Sequence, residues 1–263
     1  MRVCTLASGS SGNSVYIEGD GTSVLIDAGL SGKAITGALN AIGVDASELD
    51  AILVTHEHTD HIKGVGVMAR KFDLKVFATE NTWDEILSPI GKIPECNRLT
   101  LESNRALEIG GLQIEHFATS HDAVDSVGYC LYSEGVKIGV ATDTGCLTNA
   151  ARSNLERADV LVFEANHDLH MLKTGPYPWH LKQRILGNRG HLSNIAAGHC
   201  LSSLVAGNTK AVILSHLSRE NNLPELAFST VAEVLAQSGL SPGRDFALEV
   251  APRSHPGTLW EIE

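Results

Sequence analysis

Short apolar runs that end in turn-forming residues recur along the whole chain. They predict strands over residues 3–6, 14–18, 23–27, 51–54, 74–78, 112–117, 128–133, 137–141, 160–164 and 211–216. Elsewhere apolar positions recur at helical spacing, over 33–42, 62–71, 82–87, 181–186, 193–205 and 224–238. Ser193 and Asn194 are residue types that cap a helix start, and Gly239 is a natural stop after the last helix. Gly19-Asp20-Gly21 and Ser133-Glu134-Gly135 are hairpin signals between neighbouring strands. Later strands are separated by helices. The mixture predicts an α/β fold in which two mixed sheets are flanked by helices. No linker, low-complexity tract or charge block interrupts the pattern, so residues 1–263 read as a single domain. The two halves show a similar strand order without a clear sequence repeat.

Composition narrows the class. With 43% hydrophobic and 19% charged residues, the chain is neither disordered nor fibrous. No apolar run is long enough to span a bilayer. Met1 to Gly9 lacks the apolar core of a secretion signal, which predicts a cytoplasmic protein with no membrane partner. Cys4, Cys96, Cys130, Cys146 and Cys200 are scattered and odd in number, which argues against a disulfide framework or a zinc ribbon. They are expected as small buried side chains.

The net charge of −11 opposes general affinity for nucleic acid, but the charge is uneven. Residues 169–219 contain no Asp or Glu and carry Lys173, Lys182, Arg184, Arg189, Lys210 and Arg219, a segment charge of +6. The remainder holds 14 basic against 31 acidic residues. A basic face beside a site for an anionic substrate would produce this asymmetry.

The densest chemistry follows the strand predicted at 51–54. Thr55-His56-Glu57-His58-Thr59-Asp60-His61 places four ligand-type side chains within six positions. In an extended loop alternate residues point the same way, so His56 and His58 can face one metal ion. Asp60 and His61 begin the next turn and can face another. Further candidates stand at strand ends, where sites assemble in α/β sheets: Asp27, His121, Asp143 and His216.

This set, His56-x-His58-x-Asp60-His61 with His121, Asp143 and His216, resembles the metallo-β-lactamase superfamily over nearly the whole chain. The resemblance implies an αββα metallo-β-lactamase sandwich with a dinuclear metal site on one edge. By motif, His56, His58 and His121 would hold the first ion, and Asp60, His61 and His216 the second. Asp143 would bridge them, and Asp27 would orient the site from behind. An aspartate at the bridging position sets the chain apart from the commonest true β-lactamases, which carry a cysteine ligand. Histidine at position 58 disfavours the flavodiiron proteins, which have glutamate there. The 73 positions from Asp143 to His216 leave no room for a β-CASP insert.

A closer resemblance is to the YycJ/WalJ branch, a group of 5′-to-3′ DNA exonucleases. It is carried by Leu6 to Ser14, Glu164-Ala165-Asn166-His167-Asp168, Gly190-His191-Leu192-Ser193-Asn194, and Leu214 to Asn222. It implies a metal-dependent phosphodiesterase with DNA as substrate. Glu164 and His191 resemble a pair in the ribonuclease Z relatives, in which a glutamate orients a proton-donating histidine. Asp60, Glu164 and His191 are therefore the candidate catalytic residues. Ser8, Asn13, His167, Lys182 and Arg184 are candidate substrate contacts. All seven proposed ligands are N or O donors, which admits two divalent ions of zinc, manganese or iron. Such a pair generates hydroxide near neutral pH. A small-molecule hydrolase for a cyclic phosphodiester or a thioester could use the same site, and a non-catalytic binding protein could keep the same fold.

Overall fold

In a computed structural model, which describes residues 1–102 and 105–263, the strands form two seven-stranded sheets. The first contains β1 (Arg2–Ala7), β2 (Ser14–Gly19), β3 (Thr22–Ile26), β4 (Ala51–Leu53), β5 (Lys75–Ala78) and β6 (Arg98–Thr100) in that order. β1 to β3 pair antiparallel, and β3 to β6 pair parallel. The second contains β7 (Leu107–Ile109), β8 (Leu112–Ala118), β9 (Val127–Ser133), β10 (Val136–Ala141), β11 (Val160–Glu164), β12 (Ala211–Ser215) and β13 (Ala247–Val250). Its first four strands pair antiparallel and its last four parallel. A final strand, β14 (Trp260–Glu261), adds antiparallel to β1. The two sheets thus repeat one plan, an antiparallel meander that runs into parallel strands. The similar strand order of the two halves is this shared topology.

Strand residues alternate between two buried faces. Val24, Ile26 and Leu53 of the first sheet meet Ile114, Leu131, Ile138 and Val162 of the second in a core between the sheets. Leu25, Ile52 and Val76 point the other way, onto α1 (Gly32–Ala41), α3 (Val65–Phe72) and α4 (Glu80–Ile90). Leu161, Phe163 and Val212 likewise pack on α5 (Asn149–Leu155), α8 (Asn194–Leu204) and α9 (Pro224–Gln237). The layers are therefore helix, sheet, sheet, helix. Each fully buried Leu, Ile or Val contributes about 1.5–3 kcal/mol to holding them together.

All ten strands expected from the sequence are present, within one residue at each end. The helix expected over 62–71 starts later, as α3, and is preceded by a separate short helix, α2 (Thr59–Ile62). The break between the two is at Gly64, whose N–H donates to the Ala28 carbonyl at 2.7 Å. A Cβ on Gly64 would lie 2.3 Å from the Leu30 carbonyl oxygen, so only glycine permits this approach. The remaining helices are α6 (Leu169–Thr174) and α7 (Trp179–Leu186). Among the described residues no helix is long and apolar enough to cross a membrane. All five cysteines are free thiols; Cys4 and Cys130 are buried as expected, whereas Cys96 is exposed.

Candidate metal centre

The ends of the parallel strands gather the candidate side chains. Asp27 follows β3, Thr55 and His56 lie beyond β4, Asp143 lies just past β10, Glu164 ends β11 and His216 follows β12. His121 comes from the β8–β9 connection and Asp60 and His61 from α2. Three of these turns are made in the left-handed region by residues that are not glycine: Asp27 at φ 61°, Asp143 at φ 53° and His216 at φ 55°. Backbone strain of this kind persists only where the surroundings enforce it.

Among the described residues four overlapping groups of donors result: His56, His58 and His121; Asp60, His61 and His216; His56, His61 and Asp143; and Asp143, Glu164, His191 and His216. His58 Nδ1 lies 3.0 Å from His56 Nε2 and 3.3 Å from His121 Nε2. Asp60 Oδ2 lies 3.8 Å from His61 Nε2 and 3.6 Å from His216 Nε2. Asp143 stands between the groups, with Oδ2 3.2 Å from His61 Nε2 and Oδ1 3.7 Å from His121 Nε2. Within each group the donor atoms lie within 4.8 Å of one another, close enough to share an ion. Asp143 Oδ2 and His216 Nε2 are buried and have no hydrogen-bond partner. Orphaned buried polar atoms are costly, and a cation satisfies both. The N/O donor set therefore fits divalent metal ions.

The residues behind the donors set the direction of each imidazole. His61 Nδ1 donates to Asp27 Oδ2 at 2.6 Å, and His121 Nδ1 to the Gly190 carbonyl at 3.2 Å. His216 Nδ1 donates to Glu164 Oε1 at 2.9 Å. Thr55 gives both its N–H and its hydroxyl to the Asp27 carboxylate at 2.8 Å, and its hydroxyl oxygen accepts from His56 Nδ1 at 2.9 Å. Each proton held on Nδ1 leaves the Nε2 lone pair facing the cluster, as metal-binding histidines require. Thr55 was not singled out from the sequence, although it directly precedes the histidine motif. Asp27→Asn removes the charge that holds the His61 proton. Metal affinity is expected to fall roughly 10–100-fold, as read by competition with a chelator of known affinity. Unchanged affinity would remove Asp27 from this role.

Charge is balanced within the cluster. Burial raises the Asp143 carboxyl, but His216, His61 and His56 outweigh it and hold the group well below the usual carboxylate range. Burial opposes charge on His216, yet Asp143, Asp60 and Glu164 push it up to about 10. His56 is lowered by burial and by the neighbouring His61, which together outweigh the pull of Asp143. The buried carboxylates therefore stay ionised and demand positive charge among them.

Glu164 is fully buried and uses both oxygens. Oε1 accepts from His191 Nδ1 at 2.8 Å as well as from His216. Oε2 accepts the N–H groups of Thr144 at 2.9 Å and Leu192 at 3.2 Å. Burial raises its pKa, but the two histidines bring it down to about 2. The expected Glu164–His191 contact is present, and the same oxygen also carries His216, a connection the sequence did not suggest. The His191 side chain remains 17% exposed and borders the cleft.

The cleft has a volume of about 210 Å³ and is walled by His58, Asp60, His121, Asp143, His191 and His216. Residues 22–217 match the β-lactamase superfamily domain. The chain belongs to the metallo-β-lactamase superfamily. It is 44% identical to the exodeoxyribonuclease WalJ of Streptococcus pneumoniae over 94% of this chain and 92% of that protein. It is 40% identical to the exodeoxyribonuclease YycJ of Bacillus anthracis over 94% of each. The crystal structure of YhfI from Bacillus subtilis, a metallo-β-lactamase fold protein, superposes with a TM-score of 0.73 over 98% of both chains. At 17% identity that likeness shows the fold, which is the αββα sandwich expected.

On this superfamily scaffold the five candidate substrate contacts behave differently. Arg184 lines the cleft and pairs with Asp122. Asn13 is buried against the donors, with Nδ2 3.1 Å from His61 Nε2. Ser8 is also buried, and its hydroxyl accepts the His216 N–H at 2.6 Å, so it braces a donor. Lys182 corrects the sequence reading. Its Nζ is turned inward and donates to the Lys173 and Gly175 carbonyls at 2.8 and 2.7 Å, where the end of α6 leaves carbonyls unpaired. His167 is a second correction. It is 1% exposed, does not line the cleft, and has both ring nitrogens without a hydrogen-bond partner. Burial brings its pKa down to about 4. Arg189 was not singled out. It donates to the His121 and Ala123 carbonyls at 3.0 and 3.2 Å and so clamps the loop that carries His121. A larger cavity of about 700 Å³, beside Lys75, Leu99 and Glu108, includes none of these residues.

Proposed function

We propose that this protein is a cytoplasmic metal-dependent phosphodiesterase that degrades DNA from the 5′ end, with two divalent ions held by His56, His58, Asp60, His61, His121, Asp143 and His216. The observation that carries the reading is the juxtaposition of two donor groups, His56, His58 and His121 and Asp60, His61 and His216, with Asp143 between them and His191 beside them on the cleft wall. The exodeoxyribonuclease relatives over 94% of the chain supply the substrate class. Residues 1–263 would act as one domain, because the core between the sheets draws on both halves. Five free thiols suit a reducing compartment.

Bound divalent ions would supply Lewis acidity and lower the pKa of water toward neutrality. The chain's own residues do the rest. Glu164 accepts from His191 Nδ1 and so orients the ring, whose exposed edge would act as the proton donor to the departing sugar oxygen. Tyr177, Leu181 and Ile185 give the cleft an apolar wall suited to a nucleobase, and Arg184 places a guanidinium at its rim.

Single- and double-stranded DNA and RNA, labelled at either end, distinguish the possibilities when incubated with manganese or zinc. Stepwise release of mononucleotides from the 5′ end of DNA is the expected result. Loss of the 3′ label first would reverse the polarity, and failure to cut any polynucleotide would overturn the assignment.

A further inference from the structure

Beside the metal cleft lies a second hollow of about 410 Å³, bordered by Ser8, Leu217, Val250, Pro252, Arg253 and His255. The two cavities share a wall. Ser8 and Leu217 border the hollow, while Ser10, His216 and Ser218 line the cleft. Backbone contacts hold this wall together. Gly9 is pressed so closely on it that a Cβ there would lie 3.1 Å from the Leu217 carbonyl oxygen and 3.8 Å from Arg253 Nη1. The Arg253 guanidinium therefore rests against the loop whose next residue, Ser10, opens onto the metal cleft.

No Asp or Glu borders the hollow. Arg219 and Arg244 each pair with the acid that follows them, Glu220 and Asp245. Arg253 has no acidic partner among the described residues, in a protein with 31 acidic residues. A half-buried, unpaired guanidinium with its planar fork of donors is suited to a phosphate. An adjoining cleft that cuts phosphodiesters would supply one on the same strand.

We propose that Arg253, with His255 beside it, is a second phosphate subsite that grips a backbone phosphate of the strand whose scissile phosphate occupies the metal cleft. The proposal rests on the nucleic-acid reading above. It makes substrate length matter. A strand long enough to cross the Ser8–Ser10 wall engages Arg253, whereas a nitrophenyl phosphodiester of a single nucleotide does not reach it.

Arg253→Gln and Arg253→Lys test this on the full chain. For a single-stranded hexanucleotide, Arg253→Gln is expected to raise KM roughly tenfold, the scale of one lost charge-assisted contact. The change for the nitrophenyl diester should be less than about twofold, because no such contact is made there. Fluorescence anisotropy of the oligonucleotide with metal chelated gives a readout independent of turnover. There the slope of log affinity against log salt should flatten by about 0.7, the value for one phosphate contact on a single strand. Arg253→Lys keeps the charge, so it should restore the slope and part of the affinity, which controls for misfolding. Equal losses on both substrates would make Arg253 structural and overturn the subsite. An unchanged KM and slope in Arg253→Gln, with a wild-type protein that binds and cuts DNA, would overturn the subsite alone. A wild-type protein that cuts the nitrophenyl diester but neither binds nor cuts the oligonucleotide would overturn the nucleic-acid reading and the subsite together.

Discussion

Asp143→Ala should abolish activity more completely than the loss of any single histidine. Its carboxylate reaches both donor groups, with Oδ2 3.2 Å from His61 and Oδ1 3.4 Å from His216 and 3.7 Å from His121, so one substitution disturbs both. A histidine change disturbs one. Removal of an outer partner of a metal ligand costs about 10–100-fold. Loss of a carboxylate between two groups should exceed that, with turnover down at least roughly 10³-fold. Metal content by mass spectrometry should fall below two ions per chain at the same time. Two retained ions with near-normal turnover would exclude Asp143 as the bridge.

His191→Ala is the second large effect, and it differs in kind. His191 lies beside the donor groups, with ring centroids 5.0 Å from His121 and 5.2 Å from His216, and its Nδ1 is committed to Glu164. Its removal should leave the metal content unchanged while DNA turnover falls roughly 10²–10⁴-fold, the range for general acid–base catalysis. A nitrophenyl diester has a leaving group that needs little protonation, so its hydrolysis should suffer far less. Equal losses on both substrates would indicate a binding or structural role. Loss of an ion would make His191 a ligand. Glu164 cannot be used for the same separation, because its Oε1 also holds His216.

The central strands and the donor cluster were legible in the sequence for the same reason. A buried strand is a continuous apolar run, and although a single polar residue at its end usually serves a turn, a set of His and Asp at successive strand ends points to a site. The elements that escaped are short or marginal. β6, β7, β13 and β14 have two to four residues and form or adjoin sheet edges, where the alternating pattern has little length to develop. α5 and α6 span seven and six residues, less than two helical turns. Lys182 and His167 failed for a different reason. Residue type announces chemistry, but the direction of a side chain is set by tertiary packing. Lys182 turns to the carbonyls at the end of α6, and His167 turns into the interior. The double use of Glu164 has the same origin, since two histidines 25 residues apart in the chain meet one oxygen only after folding.

The left-handed backbone at Asp27, Asp143 and His216 sets stability against activity at three fixed points. A residue with a Cβ costs about 1–2 kcal/mol in that conformation, and glycine would relieve most of it. Glycine would also delete the carboxylate proposed as the bridge, a proposed donor imidazole or the carboxylate behind His61. Mutational drift toward a more robust fold therefore runs directly against the chemistry at these turns. The surplus stability that tolerates them must come from elsewhere, chiefly from the three apolar layers that clamp the strands on either side.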